Sequence, residues 1–210
     1  MNYHNITYPD MNNGDGLRVV LWLSGCSHRC FNCQNPQTWD VNSGIPFDES
    51  AKEELFRELD KDYISGLTLT GGDPLFESNL DGVLDLVTEF NKRYNFQKVD
   101  SANPCKMVVS EVENPDKIRL LLPSKTIWLY TGFSWNDIFT TQENEPFEHE
   151  KEFMNMAKRQ VILKQCDVVV DGRYIDSLHD PKLKWKGSSN QRCINVKESL
   201  KQNKIILYCD

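Results

Sequence analysis

Arg18-Val19-Val20-Leu21-Trp22-Leu23-Ser24-Gly25-Cys26-Ser27-His28-Arg29-Cys30-Phe31-Asn32-Cys33 is the stretch on which the reading of the fold turns. After Arg18 it is a continuous apolar run rich in β-branched and aromatic residues, the mark of a strand buried on both faces. The run passes directly into Ser24-Gly25-Cys26. Three cysteines therefore sit on the loop leaving the C-terminal end of that strand.

The rest of the chain repeats this rhythm. Residues 46–60 read as a helix with Leu55 and Leu59 on one face, capped by Asp48 or Ser50. Residues 66–70 (GLTLT) form a second short strand ending in Gly71-Gly72-Asp73-Pro74, and residues 78–91 follow as an amphipathic helix. Thr126–Tyr130 is a third strand ending in Thr131-Gly132, with a helix starting near Ser134-Trp135-Asn136-Asp137. Residues 167–170 are a fourth strand, closing on Asp171-Gly172. Strand, Gly-containing loop, helix, strand predicts an α/β fold with a mostly parallel sheet and right-handed crossovers. In such sheets ligands gather at the C-terminal strand ends, so the four loops should converge on one rim. Glycine in each is expected to let backbone approach a ligand closely.

Residues 97–125 interrupt the rhythm as an insertion, residues 140–149 read as an acidic surface loop, and the chain beyond residue 192 reads as a C-terminal extension. Repeats, low-complexity segments and linkers are absent, so residues 1–210 are expected to form a single domain.

A length of 210 residues with 39% hydrophobic and 26% charged residues is that of a globular protein with a full core. The net charge of −7 argues against a nucleic-acid footprint, which needs clustered Lys and Arg. No run approaches the roughly 20 apolar residues of a membrane span. The first sixteen residues are polar and lack the apolar segment of a secretory signal, which points to the cytoplasm. In that reducing compartment close cysteines hold metal or do catalysis more often than they form disulfides. Cys105, Cys166, Cys193 and Cys209 are scattered and read as small buried hydrophobes.

Cys26, Cys30 and Cys33 have the spacing CxxxCxxC. Thiolates favour iron–sulfur clusters, zinc or copper(I). Three on one tight loop can hold three corners of a four-iron cubane and leave the fourth iron without a protein ligand, where a substrate can bind. The same three thiolates could instead share a zinc ion with a histidine such as His179 or with a distant cysteine. Spacing alone leaves both open.

CxxxCxxC after a first strand and Gly71-Gly72-Asp73-Pro74-Leu75 after a second resemble the radical S-adenosylmethionine (SAM) superfamily. Further motifs resemble one of its families, the anaerobic ribonucleotide reductase-activating proteins. They are Met1-Asn2-Tyr3, Asn13-Gly14, Gly16, Thr38-Trp39, Trp128, Tyr130-Thr131-Gly132, Val170-Asp171-Gly172 and residues 185–192 (WKGSSNQR). The resemblance implies an incomplete βα barrel of the radical SAM type, a 4Fe-4S cluster on Cys26, Cys30 and Cys33, and SAM chelating the open iron. It further implies reductive cleavage of SAM to a 5′-deoxyadenosyl radical, which abstracts a hydrogen from a glycine in a C-terminal loop of the large reductase subunit. A flavodoxin-like electron donor is implied as well.

Site residues carry over position by position. The backbones of Gly71 and Gly72 are expected at the methionine end, with Thr70 and Asp73 holding that loop's shape. The backbones of Asn32, Cys33 and Gln34 are expected at the adenine, and Tyr130, Thr131, Gly132 and Asp171 along the nucleoside. Asn32 is a departure, since the superfamily often has an aromatic residue there. No general acid–base pair is required by such chemistry. His28 is expected to shield or tune the cluster, and the five tryptophans are expected in core or interface.

Overall fold

The computed structural model describes residues 1–95, 125–139 and 150–209. Its strands are β1 (Asn2–Asp10), β2 (Arg18–Leu23), β3 (Ile45–Pro46), β4 (Gly66–Gly71), β5 (Thr126–Tyr130), β6 (Val168–Asp171), β7 (Arg192–Asn195) and β8 (Leu207–Cys209). Its helices are α1 (Glu49–Leu59), α2 (Leu80–Tyr94), α3 (Trp135–Phe139), α4 (Glu150–Lys164) and α5 (Val196–Gln202). Among the described residues the strands make one sheet in the order β3-β1-β2-β4-β5-β6-β7-β8. The central four, β2, β4, β5 and β6, are parallel, as the strand–helix alternation predicts. The flanking strands pair antiparallel on both sides. The protein is a mixed α/β fold with a parallel centre.

Alternation along the strands sends side chains to two faces. Val19, Leu21, Leu23, Leu67, Leu69, Ile127, Leu129 and Val169 form the main core with Leu55, Phe56 and Leu59 of α1 and Val83, Leu86, Val87 and Phe90 of α2. The opposite face carries a smaller cluster of Trp128, Val168, Val170 and Cys193, against which Tyr130, Trp185 and Cys209 pack. Arg18 lies fully buried. Its guanidinium donates to Thr68 Oγ1 at 2.7 Å, Leu67 O at 2.6 Å, Asp15 O at 3.0 Å, and both Thr126 Oγ1 and Thr126 O. Burial pulls its pKa down to about 10, so it stays charged, held by neutral acceptors from the N-terminal ends of β4 and β5.

Several boundaries differ from the sequence reading. The first helix begins at Glu49 rather than residue 46, because Ile45 and Pro46 pair with Tyr3 and Asn2 of β1. Asp48 supplies the cap, its Oδ1 accepting from Ala51 N at 3.0 Å. The second helix runs on to Tyr94, and the fourth strand is shifted by one residue to Val168–Asp171. The sequence reading missed α4 and the four antiparallel strands. The chain beyond residue 192 forms β7, α5 and β8, which extend the sheet. The insertion at 97–125, apart from Lys125, and the loop at 140–149 lie outside the described residues. Among the described residues no helix is long and apolar enough to cross a membrane.

Candidate functional site

The loops leaving β2, β4, β5 and β6 meet around one pocket. Cys26, His28, Cys30, Cys33 and Gln34 line it from the first loop, and Thr70, Gly71, Gly72 and Asp73 from the second. Tyr130, Thr131 and Gly132 come from the third, and Gly172 and Tyr174 from the fourth. Asn13, Trp22, Asn35, Trp39, Gly187 and Gln191 complete the lining, none of which sequence reasoning had placed at a site. A larger cleft at the other end of the strands, between Asp15, Ser65, Trp128 and Lys197, has no cysteine or histidine in its walls.

The cysteine loop folds back on itself. Cys33 N donates to Cys30 O at 3.2 Å, and Arg29 and Asn32 both adopt positive φ, at 45° and 53°. Asparagine tolerates that left-handed conformation better than an aromatic residue does, which gives Asn32 a local reason. Its amide donates to Asp176 Oδ2 at 3.2 Å, so the side chain is directed to the loop after β6 while its backbone stays in the cysteine turn. The Cys26 thiol is pushed up to about 11 by burial and by the Asp73 carboxylate, and burial also raises that of Cys30. Both thiols are therefore protonated at neutral pH until a metal displaces the proton.

Asp73 is the hub of the site. It is 1% exposed, and its carboxylate accepts from four donors on three loops. These are Thr131 Oγ1 at 2.9 Å, Gly132 N at 3.0 Å, Leu75 N at 2.8 Å and His28 Nε2 at 2.8 Å. Arg173 Nε donates to His28 Nδ1 at 3.2 Å. An arginine is always a donor, so Nδ1 must be the acceptor and Nε2 must carry the proton toward Asp73. A chain Arg173–His28–Asp73–Thr131 thus ties the cysteine loop to the other three. His28 also stands edge-on to Phe133, with ring centroids 4.7 Å apart.

The glycines of the pocket also serve contacts within the protein. A Cβ on Gly72 would lie 2.5 Å from Gly25 O, one on Gly71 2.7 Å from Leu23 N, and one on Gly132 2.3 Å from the His28 ring. They let the loops approach one another. The backbone hydrogen bonds Gly72 N to Leu23 O and Asp73 N to Gly25 O, both 2.7 Å, are the result.

Asp171 departs from its expected place along the nucleoside. Its carboxylate is buried, pairs with Arg192 and accepts from Trp135 N at 2.7 Å, so it anchors α3 and β7 to β6. The neighbouring GSSNQR string works toward the same end. Gln191 donates to Gly172 O at 2.9 Å and accepts from Gly187 N, Asn190 donates to Arg173 O at 2.8 Å, and Ser188 Oγ accepts from Ile175 N. This clip holds Gly172, Arg173 and Tyr174 against the pocket. Asp171→Asn is expected to lower the unfolding free energy by about 2 kcal/mol, since it weakens a buried charged hydrogen bond. Urea denaturation reads this; an unchanged midpoint together with lost ligand binding would return Asp171 to the ligand.

Trp39 Nε1 and Tyr130 OH, both in residues lining the pocket, are buried without a hydrogen-bond partner among the described residues. Neither atom has surface open to the pocket, so both lie behind its wall. Among the described residues no three His, Cys, Asp or Glu side chains converge to hold a single metal ion.

Comparison with known proteins points to a cluster-binding family. Residues 12–103 and 105–194 match the family model described as a 4Fe-4S single cluster domain. The chain is 35% identical over 192 residues to the anaerobic ribonucleoside-triphosphate reductase-activating protein of enterobacteria phage T4, covering 91% of this chain and 92% of that one. It is 33% identical over 193 residues to the protein of the same name from Escherichia coli K12 and 31% identical to that from Vibrio cholerae. Each match covers 91% of this chain and 96% of the relative.

Proposed function

Because this chain belongs to the family of anaerobic ribonucleoside-triphosphate reductase-activating proteins and carries a 4Fe-4S single cluster domain, we propose that it installs a glycyl radical on its reductase by reductive cleavage of SAM. The observation that carries this reading is the meeting of a three-thiol loop with three other strand-end loops around one pocket. When bound, cluster and SAM together would supply a primary carbon radical able to take a hydrogen from a glycine Cα.

The chain's own residues would bind, orient and shield. Cys26, Cys30 and Cys33 would hold three irons and leave the fourth open. The backbones of Gly71 and Gly72 would meet the methionine end, and those of Asn32, Cys33 and Gln34 the adenine. Thr70, Tyr130, Thr131 and Gly132 would line the remainder. Asp73 would act at one remove, by fixing His28 and Thr131. The parallel centre with antiparallel edges is read as the incomplete barrel of radical SAM enzymes, open enough to admit a protein loop. The substrate would be a glycine in a C-terminal loop of the large reductase subunit, and the electron would come from a flavodoxin-like donor.

Anaerobic incubation with SAM, a reductant and the candidate reductase tests the reading by electron paramagnetic resonance. A glycyl doublet that requires this chain supports it; SAM consumption without any doublet would assign the radical to a different substrate.

A further inference from the structure

Cys193 and Cys209 stand directly opposite each other across the antiparallel pair β7–β8. Both are free thiols, and Cys193 Sγ donates to Lys184 O at 3.9 Å. Opposed residues in an antiparallel pair have Cα atoms about 4.5–5.5 Å apart. A disulfide spans about 4.4–6.8 Å, so it could close here without moving the backbone. Cys166 differs: it is fully buried, and its Sγ donates to Ile162 O in the last turn of α4.

We propose that Cys193 and Cys209 form a reversible thiol–disulfide couple, oxidised by a low-molecular-weight disulfide, that staples the C-terminal strand to the sheet. The two thiols differ in access. Cys193 is fully buried, and burial together with Cys209 pushes its thiol up to about 12. Cys209, on β8, is partly exposed. Cys209 is therefore the attacking sulfur. Its thiolate displaces one thiolate from the oxidant and leaves a mixed disulfide. The Cys193 sulfur, giving its proton to the departing thiolate, then attacks the Cys209 sulfur and expels the second thiol. Two electrons and two protons pass from the pair to the oxidant, which ends as two thiols.

The staple has a defined structural reach. Beside Cys209, Tyr208 packs edge-on to Trp128 at 5.1 Å and against Trp185 at 6.0 Å, and its hydroxyl donates to Asp15 at 2.9 Å. Cys193 belongs to the cluster on which Tyr130 rests. Oxidation would thus pin the aromatic layer beneath one wall of the pocket.

The test is anaerobic incubation of the cluster-loaded protein with oxidised glutathione, followed by alkylation and peptide mass mapping. The expected result is a Cys193–Cys209 linked peptide in most chains, reversed by dithiothreitol, with Cys166 still a thiol. Cys193→Ser should instead trap a stable glutathione adduct on Cys209, and Cys209→Ser should leave Cys193 unmodified. Two free thiols at 193 and 209 after the incubation, or a link from either to Cys105, would overturn the proposal. Should Cys193→Ser fail to fold, the map of the unaltered protein decides alone.

Discussion

Serine at Cys26, Cys30 or Cys33 is expected to remove iron–sulfur loading and with it all SAM cleavage, while the fold survives. The three thiols are the cysteines of the pocket, on a turn whose shape comes from backbone, through Cys33 N to Cys30 O and the positive φ of Arg29 and Asn32. A serine hydroxyl fits that turn but is a hard oxygen that stays protonated, so it cannot replace a soft thiolate on iron. Loss of an outer partner of a metal ligand typically costs 10–100-fold, and loss of a ligand itself should exceed that. Three side chains holding a cluster with one open iron have no spare donor. The measurements are iron per chain after anaerobic reconstitution, far-ultraviolet circular dichroism and release of 5′-deoxyadenosine. Cleavage retained in any of the three variants would contradict the assignment.

Asp73→Ala is expected to cost about 3–5 kcal/mol of stability, an exceptional value for one substitution near a surface pocket. Alanine would leave the Thr131 hydroxyl, two backbone N–H groups and the His28 ring without their acceptor, each worth about 1–3 kcal/mol when buried. Asp73→Asn separates stability from function. One of its two terminal atoms becomes a donor, so the four donors now aimed at Asp73 cannot all be satisfied. The fold should persist while the cysteine loop loosens from the loop after β5, and SAM turnover should fall about a hundredfold at nearly unchanged iron content. Denaturant melts and turnover with saturating SAM check both halves. An asparagine variant with full turnover would show that His28 and Thr131 hold their places without the carboxylate.

How much of this was legible in the sequence follows from physics. Arg18–Leu23 reads as a buried strand because both of its faces are covered, and the cysteine spacing is a local pattern needing no tertiary partner. β1 was missed because it lies outside the parallel centre and buries little beyond Tyr3 and Ile6, so NYHNITYPD looks like polar loop. β7 and β8 are four and three residues long, too short for any period to show. Asp171 misled because its partner Arg192 lies on another strand, and a carboxylate at a strand end looks the same whether it faces a ligand or a guanidinium. The GSSNQR string was recognised by resemblance alone; its work as a clip emerges once Gln191 and Asn190 are seen to reach Gly172 and Arg173. Asp73 was expected to shape its own loop, yet His28, Thr131 and Gly132 bring it partners from two other loops that no spacing rule could supply.

The proposed function requires an iron that the three thiolates would leave open to a small molecule. The most direct measurement is electron paramagnetic resonance of the reconstituted, reduced protein titrated with SAM in the absence of the reductase. A reduced-cubane signal that changes shape saturably as SAM is added is the predicted result. A cubane signal untouched by saturating SAM, or no cubane at all, would contradict it.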